Sequence, residues 1–570
     1  MTTPDDVIVD LHPWTIIVSI CPRGGFAFAV QPPSFFTFHY HRHSSFAVRR
    51  AERVRQCCLL LQKTALHSSR YLSPTMRCAV VLSILSLISA TPMQVSAVQK
   101  AGLRFPDPGL ASEYRGLVKG IFQTSYAAYK KYAWGHDNLT PKTRSYSDGR
   151  NGWGASIIDA MSTMYVMDLD DLLNEAVNHT GTIDFRSSNT ADHVSTFETT
   201  IRYLGSLLSV YGLRGGKDDV LLEKAVDLAN KMAYAWVGDN ELPFGCINFS
   251  SNKPDVGVTN IAEAGTLLME WATLSRYTGN DTYYRLADKA MRHIAGLEAP
   301  FPGLAAQNID PSSGEFVGGY ITWGGGSDSY FEYLLKYPQL VGLGDRLYVN
   351  TWAKAVDSSI RHLLSRSTVG NYLYTRDYDA SVNKYSDVGS HLACFHAGNW
   401  LYGGTILQNQ TMVDTALELL DGCWNTYAST TTGIGPETFA YITPGGSDRL
   451  LTSDQRSFYN VHGFYVKISS YILRPEVIES NFYAWRITGD SKYLDRAAKA
   501  VDSFQKYLRT DIAYDGISDV DDESSDKVDN MESFWFAEVL KYLYLTFDDP
   551  AKMSIDDYIF NTEAHPFKKW

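Results

Sequence analysis

Three pairs of residues in this sequence have the types and spacing that acid–base chemistry uses. Glu198 and Arg202 lie four residues apart in FETTIR, so on a helix they share one face. An ordinary ion pair is the plain account of that spacing. Phe197, Ile201 and Leu204 add a second account, because a carboxyl held among apolar groups has its pKa raised, as a general acid requires. Asp328 and Glu332 stand one turn apart in GGGSDSYFEYLLK, just after a glycine run that lets backbone approach a ligand closely. Glu476 and Glu479 in RPEVIES follow Pro475, a natural first helical residue, so both belong to an opening turn. Compensation of the helix dipole is the plain account there. Set near helix starts in a ring, the three pairs could converge on one cavity.

Other chemistries find less support. HExxH, CxxC and Walker-type motifs do not occur, and GLRGGKDD lacks the phosphate-loop spacing. GGGSDS does not have the glycine positions of a nucleophile elbow. The acids from Asp519 to Asp526 lack the glycine and closing glutamate of a calcium-binding hand and read as a solvated loop.

The elements that must position these acids read as helix after helix. TFETTIRYLGSLLSVYGL, IAEAGTLLMEWATLSRYTG, SDSYFEYLLKYPQLVGL, EVIESNFYAWRITG and ESFWFAEVLKYLYLTF carry apolar residues at three- and four-residue spacing and end near Gly or Pro. No alternating run is sustained, so strands should be short and peripheral. Seven aromatic-rich segments are marked by Asp159, Glu198, Glu263, Asp328, Cys394, Glu476 and Glu532, with room for one more polar helix between each pair. TGNDTYYRLADKA from Thr278 aligns with TGDSKYLDRAAKA from Thr488: a helix-ending Gly, a polar turn and an amphipathic partner helix recur. A ring of helix hairpins would produce this pattern, and so would a non-repeating helical solenoid.

Composition bounds the partners. The 570 residues are 45% hydrophobic and carry a formal net charge of −12, which speaks against a nucleic-acid partner and against a disordered chain. Charge is uneven: from Arg42 to Arg77 seven Arg and one Lys face the single acid Glu52, a net of +7 that leaves −19 elsewhere. At Met76 a secretory signal pattern begins, with Arg77, apolar residues from Ala79 to Ala90 and a small-residue site at Val95-Ser96-Ala97. The expected organisation is therefore a disordered gene-model extension over 1–75, a signal peptide over 76–97 and one catalytic domain over 98–570. A cytoplasmic tail before a signal anchor is the alternative, although twelve apolar residues fall short of the roughly 20 that a span needs. No stable membrane span is expected. The lumen of the Golgi or ER, or the extracellular space, is the expected location, with a monomer as the default state.

Three cysteines follow the cleavage point, Cys246, Cys394 and Cys423, permitting one disulfide and one leftover thiol. Asn138, Asn178, Asn248, Asn280 and Asn409 head sequons open to glycosylation in a secretory lumen.

SDGRNGWGAS, VSTFETTIRYL, EAGTLLMEW, GSDSYFEYLLK, HLACF, RPEVIES, ESFWFAEVLKYLYL and FNTEAHP, in this order from about Ala111 to Pro566, carry a resemblance. The sequence resembles the class I α-1,2-mannosidases, glycoside hydrolase family 47, and its fungal secreted-type members above all. The resemblance implies an all-α fold, an (α/α)7 barrel of helix hairpins with minor peripheral β-hairpins. It implies an inverting hydrolase that uses bound Ca2+ to remove terminal α-1,2-linked mannose from high-mannose N-glycans. Carried over by motif, Glu198 matches the general acid, Glu476 the general base and Asp328 a third essential carboxylate. Thr562 matches the calcium ligand, binding through its carbonyl and hydroxyl oxygens. Glu263, Glu332, Glu479, Glu532 and Glu563 match acids lining the cavity, with Arg150 and Arg202 as cationic counterparts. Cys394 and Cys423 match the family's disulfide.

Inversion requires acid and base roughly 6.5 to 9.5 Å apart so that a water fits between base and sugar. Glu198 and Glu476 are 278 residues apart in sequence, so only a closed barrel brings them together. Aromatic residues near the acids either stack on sugar or belong to the core. The chain departs from the family in CFHAGNW, where His396, Ala397 and Asn399 are expected in a loop that could touch substrate and alter branch preference. Two rivals stand beside the hydrolase: a mannosidase-like quality-control lectin with little hydrolysis, and an inverting helical-barrel glycosidase acting on glucans. The matched cysteines argue against the first and NTEAHP against the second.

Overall fold

Helices that are apolar on every side must be surrounded by protein, and helices apolar on one side must lie at a surface; this chain alternates the two kinds. The computed structural model describes residues 97–570 apart from 191–192, 343–344 and 447–450, together with the backbone of three short strands ahead of them. Those strands, Asp6–Leu11, Trp14–Ile20 and Phe26–Gln31, pair antiparallel in sequence order and form a unit of their own. The signal-like stretch up to residue 96 lies outside the described residues, as do Cys21, Cys57, Cys58 and Cys78.

In chain order the helices of the second unit are α1 (Pro108–Tyr132), α2 (Ala155–Val166), α3 (Asp170–Thr182) and α4 (Thr196–Glu198, continuing through Thr199–Leu204 and Gly205–Leu213). Then come α5 (Asp219–Met232), α6 (Ile261–Gly265, then Leu268–Thr278), α7 (Thr282–Gly296), α8 (Asp328–Val341) and α9 (Leu347–His362). The last five are α10 (Phe395–Ile406), α11 (Gln410–Ala428), α12 (Glu476–Thr488), α13 (Lys492–Ser503) and α14 (Trp535–Val539, then Leu540–Phe547).

The even-numbered helices form the inner ring. Each touches the next, and α14 returns to α2. The odd-numbered helices pack outside, α1 on α14 and each other one on the inner helix before it. Burial follows this division: every residue of α12 from Glu476 to Arg486 is buried, whereas α7 buries Tyr283, Ala287, Ala290, Met291 and Ile294, the i, i+4, i+7 stripe of an outer helix. The architecture is the expected (α/α)7 barrel. The repeat seen in the sequence is real: Gly279 and Gly489, at φ +72° and +66°, end α6 and α12 and turn the chain into α7 and α13.

Connections from an inner to the following outer helix are short, three residues at 279–281 and 489–491. Those leading into inner helices are longer and carry the strands, all short and antiparallel, such as Cys246–Asn248 and Thr259–Asn260 ahead of α6. The starts of the inner helices, where the acids lie, are thus framed by β-hairpins. A disulfide joins Cys394, in the turn leading into α10, to Cys423 on α11, with 6.0 Å between their Cα atoms, and Cys246 is free.

CFHAGNW corrects one expectation. His396, Ala397 and Asn399 are buried within α10 rather than in a substrate loop; Asn399 accepts a 2.8 Å bond from the Trp352 indole and His396 packs on Trp323 and Trp400. The departure therefore alters core packing. Among the described residues no helix is long and apolar enough to cross a membrane.

Candidate active site

A cavity of about 380 Å³ opens at the starts of the inner helices. It is lined by Glu198, Asp328 and Glu476, by Glu263, Glu332, Glu479, Glu532 and Glu563, by Arg150 and Arg202, and by Thr562. Local capping puts several of them there. Ser195 Oγ accepts the Glu198 amide at 3.2 Å and Asn260 Oδ1 accepts the Glu263 amide at 2.9 Å, so each glutamate sits in the first turn of its helix. Arg150 rides on a loop gathered by Asp137, which is fully buried. The carboxylate of Asp137 accepts the amides of Arg150, Gly152, Trp153, Gly154 and Ala155 at 2.7–3.1 Å. The positive φ of Gly152 and Gly154 lets those amides turn inward, which accounts for GRNGWG.

The acids divide by electrostatics. Burial pushes the Glu198 carboxyl up, but Arg202 Nε at 2.7 Å and Arg150 Nη2 at 3.4 Å more than reverse this, and its pKa falls below the ordinary range. The expectation of a raised Glu198 is thereby corrected: two guanidiniums outweigh its apolar neighbours. Burial likewise pushes Glu476 up, and His391, Nδ1 to Oε2 2.6 Å, with Arg474 beyond, brings it below normal. Asp328 goes the other way, pushed up to about 7 by burial and by Glu332 and Glu476, against Ser329, whose amide donates to it at 2.8 Å and hydroxyl at 3.4 Å, and the more distant Arg474. Glu479 rises to about 8 through burial and its neighbours Glu332 and Glu476, despite Lys336 at 3.7 Å.

Thr562 stands in the turn between strands Tyr558–Phe560 and Pro566–Lys568. Its amide donates to the Tyr333 hydroxyl at 3.4 Å, while its carbonyl and hydroxyl oxygens accept no hydrogen bond from the described residues. Glu332 pairs with Lys336, and Glu563 with Arg202. Among the described residues no three His, Cys, Asp or Glu side chains converge as a metal cage. The cavity nonetheless holds more carboxyls than cations, and oxygen donors suit a hard divalent ion.

Sequence reading missed several participants. Glu538 lines the cavity and is held well above the carboxylate range by burial and by Glu563, Glu476 and Glu479; its signal was an acid inside the apolar run FWFAEVL. Arg474, also in the wall, is clamped by Glu437 at 2.6 and 2.8 Å. His391 opens the quoted motif HLACF yet touches the site only through Glu476. Of the aromatics, Phe197, Phe395 and Phe534 face the cavity, whereas Trp153, Trp271, Trp323, Trp352, Trp400, Trp485 and Trp535 are core. Asn138 is buried, with its amide 3.2 Å from Asn530 and 3.4 Å from Glu532, an acid of the cavity wall.

Known proteins resemble this chain in sequence and in fold. The sequence profile of Glycosyl hydrolase family 47 matches residues 121–569. A probable mannosyl-oligosaccharide alpha-1,2-mannosidase 1B of Aspergillus clavatus is 41% identical over 485 residues, covering 80% of this chain and 93% of that protein. A mannosyl-oligosaccharide alpha-1,2-mannosidase of Penicillium citrinum is 38% identical over 512 residues, covering 85% and 97%. The solved structure of an alpha-1,2-mannosidase from Trichoderma reesei superposes with a TM-score of 0.78 at 36% identity, covering 80% of this chain and 99% of that one. With its fold, its ring of carboxyls and its sequence in agreement, the chain belongs to glycosyl hydrolase family 47.

Proposed function

We propose that this glycoside hydrolase is a calcium-dependent, inverting exo-α-1,2-mannosidase that trims terminal α-1,2-linked mannose from high-mannose N-glycans in the secretory pathway. The observation that carries the reading is that all eleven residues matched by motif as catalytic, sugar-binding or calcium-binding line one cavity, though drawn from across the chain. The relatives' names support the sugar and the linkage, and the signal-like segment over 76–97 supports the compartment.

In this mechanism Glu476, held ionised, takes the proton of the attacking water. Asp328, pushed up to about 7 by burial and its acidic neighbours, still holds a proton at and below neutral pH, and in this reading it takes over from Glu198, the residue matched by motif, the donation to the departing oxygen. Glu198, ionised between Arg150 and Arg202, offsets the positive charge that develops on the sugar ring and fixes both guanidiniums against its hydroxyls. Thr562 would hold the calcium ion through its two oxygens, and the glutamates lining the same cavity would supply negative charge around it. When bound, that ion supplies electrostatic hold on sugar hydroxyls and neutralises the crowded carboxyls. Phe197, Phe395 and Phe534 offer apolar faces for the ring.

Incubation with a high-mannose N-glycan tests the reading. Release of free mannose that stops once the α-1,2 linkages are gone, and is lost in Glu476→Gln, is the expected result. Intact glycan held without cleavage would favour the lectin, and brisk cleavage of a glucan would favour the other hydrolase.

A further inference from the structure

Neither Lys541 nor Asn561 lines the cavity, yet both act on the turn that carries Thr562. The pairing of Phe560 with Pro566 leaves residues 561–565 to make that turn. Within it, Asn561 Oδ1 accepts the amides of Glu563 at 3.1 Å and His565 at 2.7 Å, and the Ala564 amide donates to the Asn561 carbonyl at 3.0 Å. The amides thus point inward, and the two oxygens of Thr562 stay clear of protein donors. The Asn561 amide group donates in turn to the Ile201 carbonyl at 2.9 Å and to Glu270 Oε1 at 2.7 Å. Ile201 lies in the π-helical stretch Thr199–Leu204 of α4, immediately after Glu198. Gly205 lets the turn come so close, since a Cβ there would stand 2.7 Å from Asn561 Nδ2.

The other side of the turn is held by Lys541. Ala564 has φ +57°, a left-handed conformation unfavourable for a residue with a Cβ, and its carbonyl accepts from Lys541 Nζ at 2.6 Å. Lys541 is fully buried and gives a second proton to Ser162 Oγ at 2.8 Å. Asp159, Glu538 and Glu563 act on it from a distance, and none of them makes an ion pair with it. Burial lowers the Lys541 amine to about 7, and a buried amine directed at a main-chain carbonyl is costly unless that carbonyl must be held.

We propose that Lys541 and Asn561 are positioning residues that lock the 561–565 turn and thereby fix where Thr562 presents its two oxygens to a bound cation. The proposal rests on the calcium reading above. It is tested on the full chain with Lys541→Met, Lys541→Arg and Asn561→Ala, by hydrogen–deuterium exchange of the 561–565 amides and by calorimetric titration of chelator-treated protein with calcium. Lys541→Met should speed exchange in the turn at least tenfold and weaken calcium binding at least tenfold, with Lys541→Arg recovering part of both. Wild-type exchange together with calcium affinity within twofold of wild type would overturn it. So would a lower calcium-free melting temperature with unchanged affinity, the signature of a merely structural role. If Lys541→Met does not fold, Asn561→Ala decides by the same criteria. If the wild-type protein takes up no calcium, the metal reading falls, while the exchange measurement still decides whether the turn is locked.

Discussion

Glu476 Oε2 lies 2.6 Å from His391 Nδ1, and the far nitrogen of that imidazole lies 2.8 Å from the Tyr427 hydroxyl. His391 stands three residues before Cys394, and Tyr427 one turn after Cys423, so the disulfide ties together the two sides of this relay. Ser480, one turn beyond Glu476, donates to the Cys394 carbonyl at 2.6 Å. The expected base is thus held from both sides of one crosslink.

Removing His391 should change the pH profile. Burial alone raises Glu476, and His391 is the largest opposing influence. Without it the carboxyl protonates at higher pH, so His391→Ala should move the acid limb of kcat/KM upward and lower kcat by up to about 100-fold, the low end of general-base effects, since the base itself remains. KM should change little. A pH–rate series checks this, and an unmoved acid limb would count against the relay.

Asp328 governs the other limb. With its carboxyl pushed up to about 7, the protonated donor disappears as pH rises through neutrality, so kcat/KM should fall on the alkaline side. Asp328→Asn should reduce kcat by about 10²–10⁴-fold. Activity that persists unchanged to high pH would shift the donor role back to Glu198.

The disulfide should matter for stability and for rate. It closes a loop spanning 29 residues, worth about 3 to 4 kcal/mol of unfolded-state entropy in the chain-entropy model. Cys394→Ser with Cys423→Ser should lower the melting temperature and also kcat, because His391 and Tyr427 lose their shared anchor. Calorimetry and initial rates on the same preparation separate the two effects.

Much of this was legible in the sequence, and the rest was not for identifiable reasons. The inner helices announced themselves because residues apolar all round, as in ESFWFAEVLKYLYL, can only be buried, and Gly279 and Gly489 marked repeating hairpins. The acids were found because they open helices. Their protonation was not legible: whether Glu198 rises or falls depends on whether burial is outweighed by Arg202 together with Arg150, and only the fold sets that burial and brings Arg150 to it. His391, Lys541 and Asp137 escaped notice because each acts through long-range hydrogen bonds that leave no periodic trace. The departure at His396 misled because a buried helix turn and a surface loop can share the same letters.

Stability without calcium should fall as pH rises. Glu479 and Glu270 are raised to about 8 and Asp328 to about 7, so over this range the folded state binds protons that the unfolded chain releases above about 4.5. Their favourable contribution is complete below the unfolded values and is lost as pH climbs through the folded ones. Chelator-treated protein should therefore melt at a lower temperature at pH 7 than at pH 5, and added calcium should flatten that slope. Melting curves at both values, with and without calcium, check it.

The central claim is tested most directly by following α-1,2-linked mannobiose by proton NMR in the first minutes after enzyme is added. The expected result is β-mannose as the first reducing product beside the released acceptor sugar, with the signal abolished in Glu476→Gln. Initial formation of α-mannose, or an undiminished rate in that variant, would contradict an inverting mechanism based on Glu476.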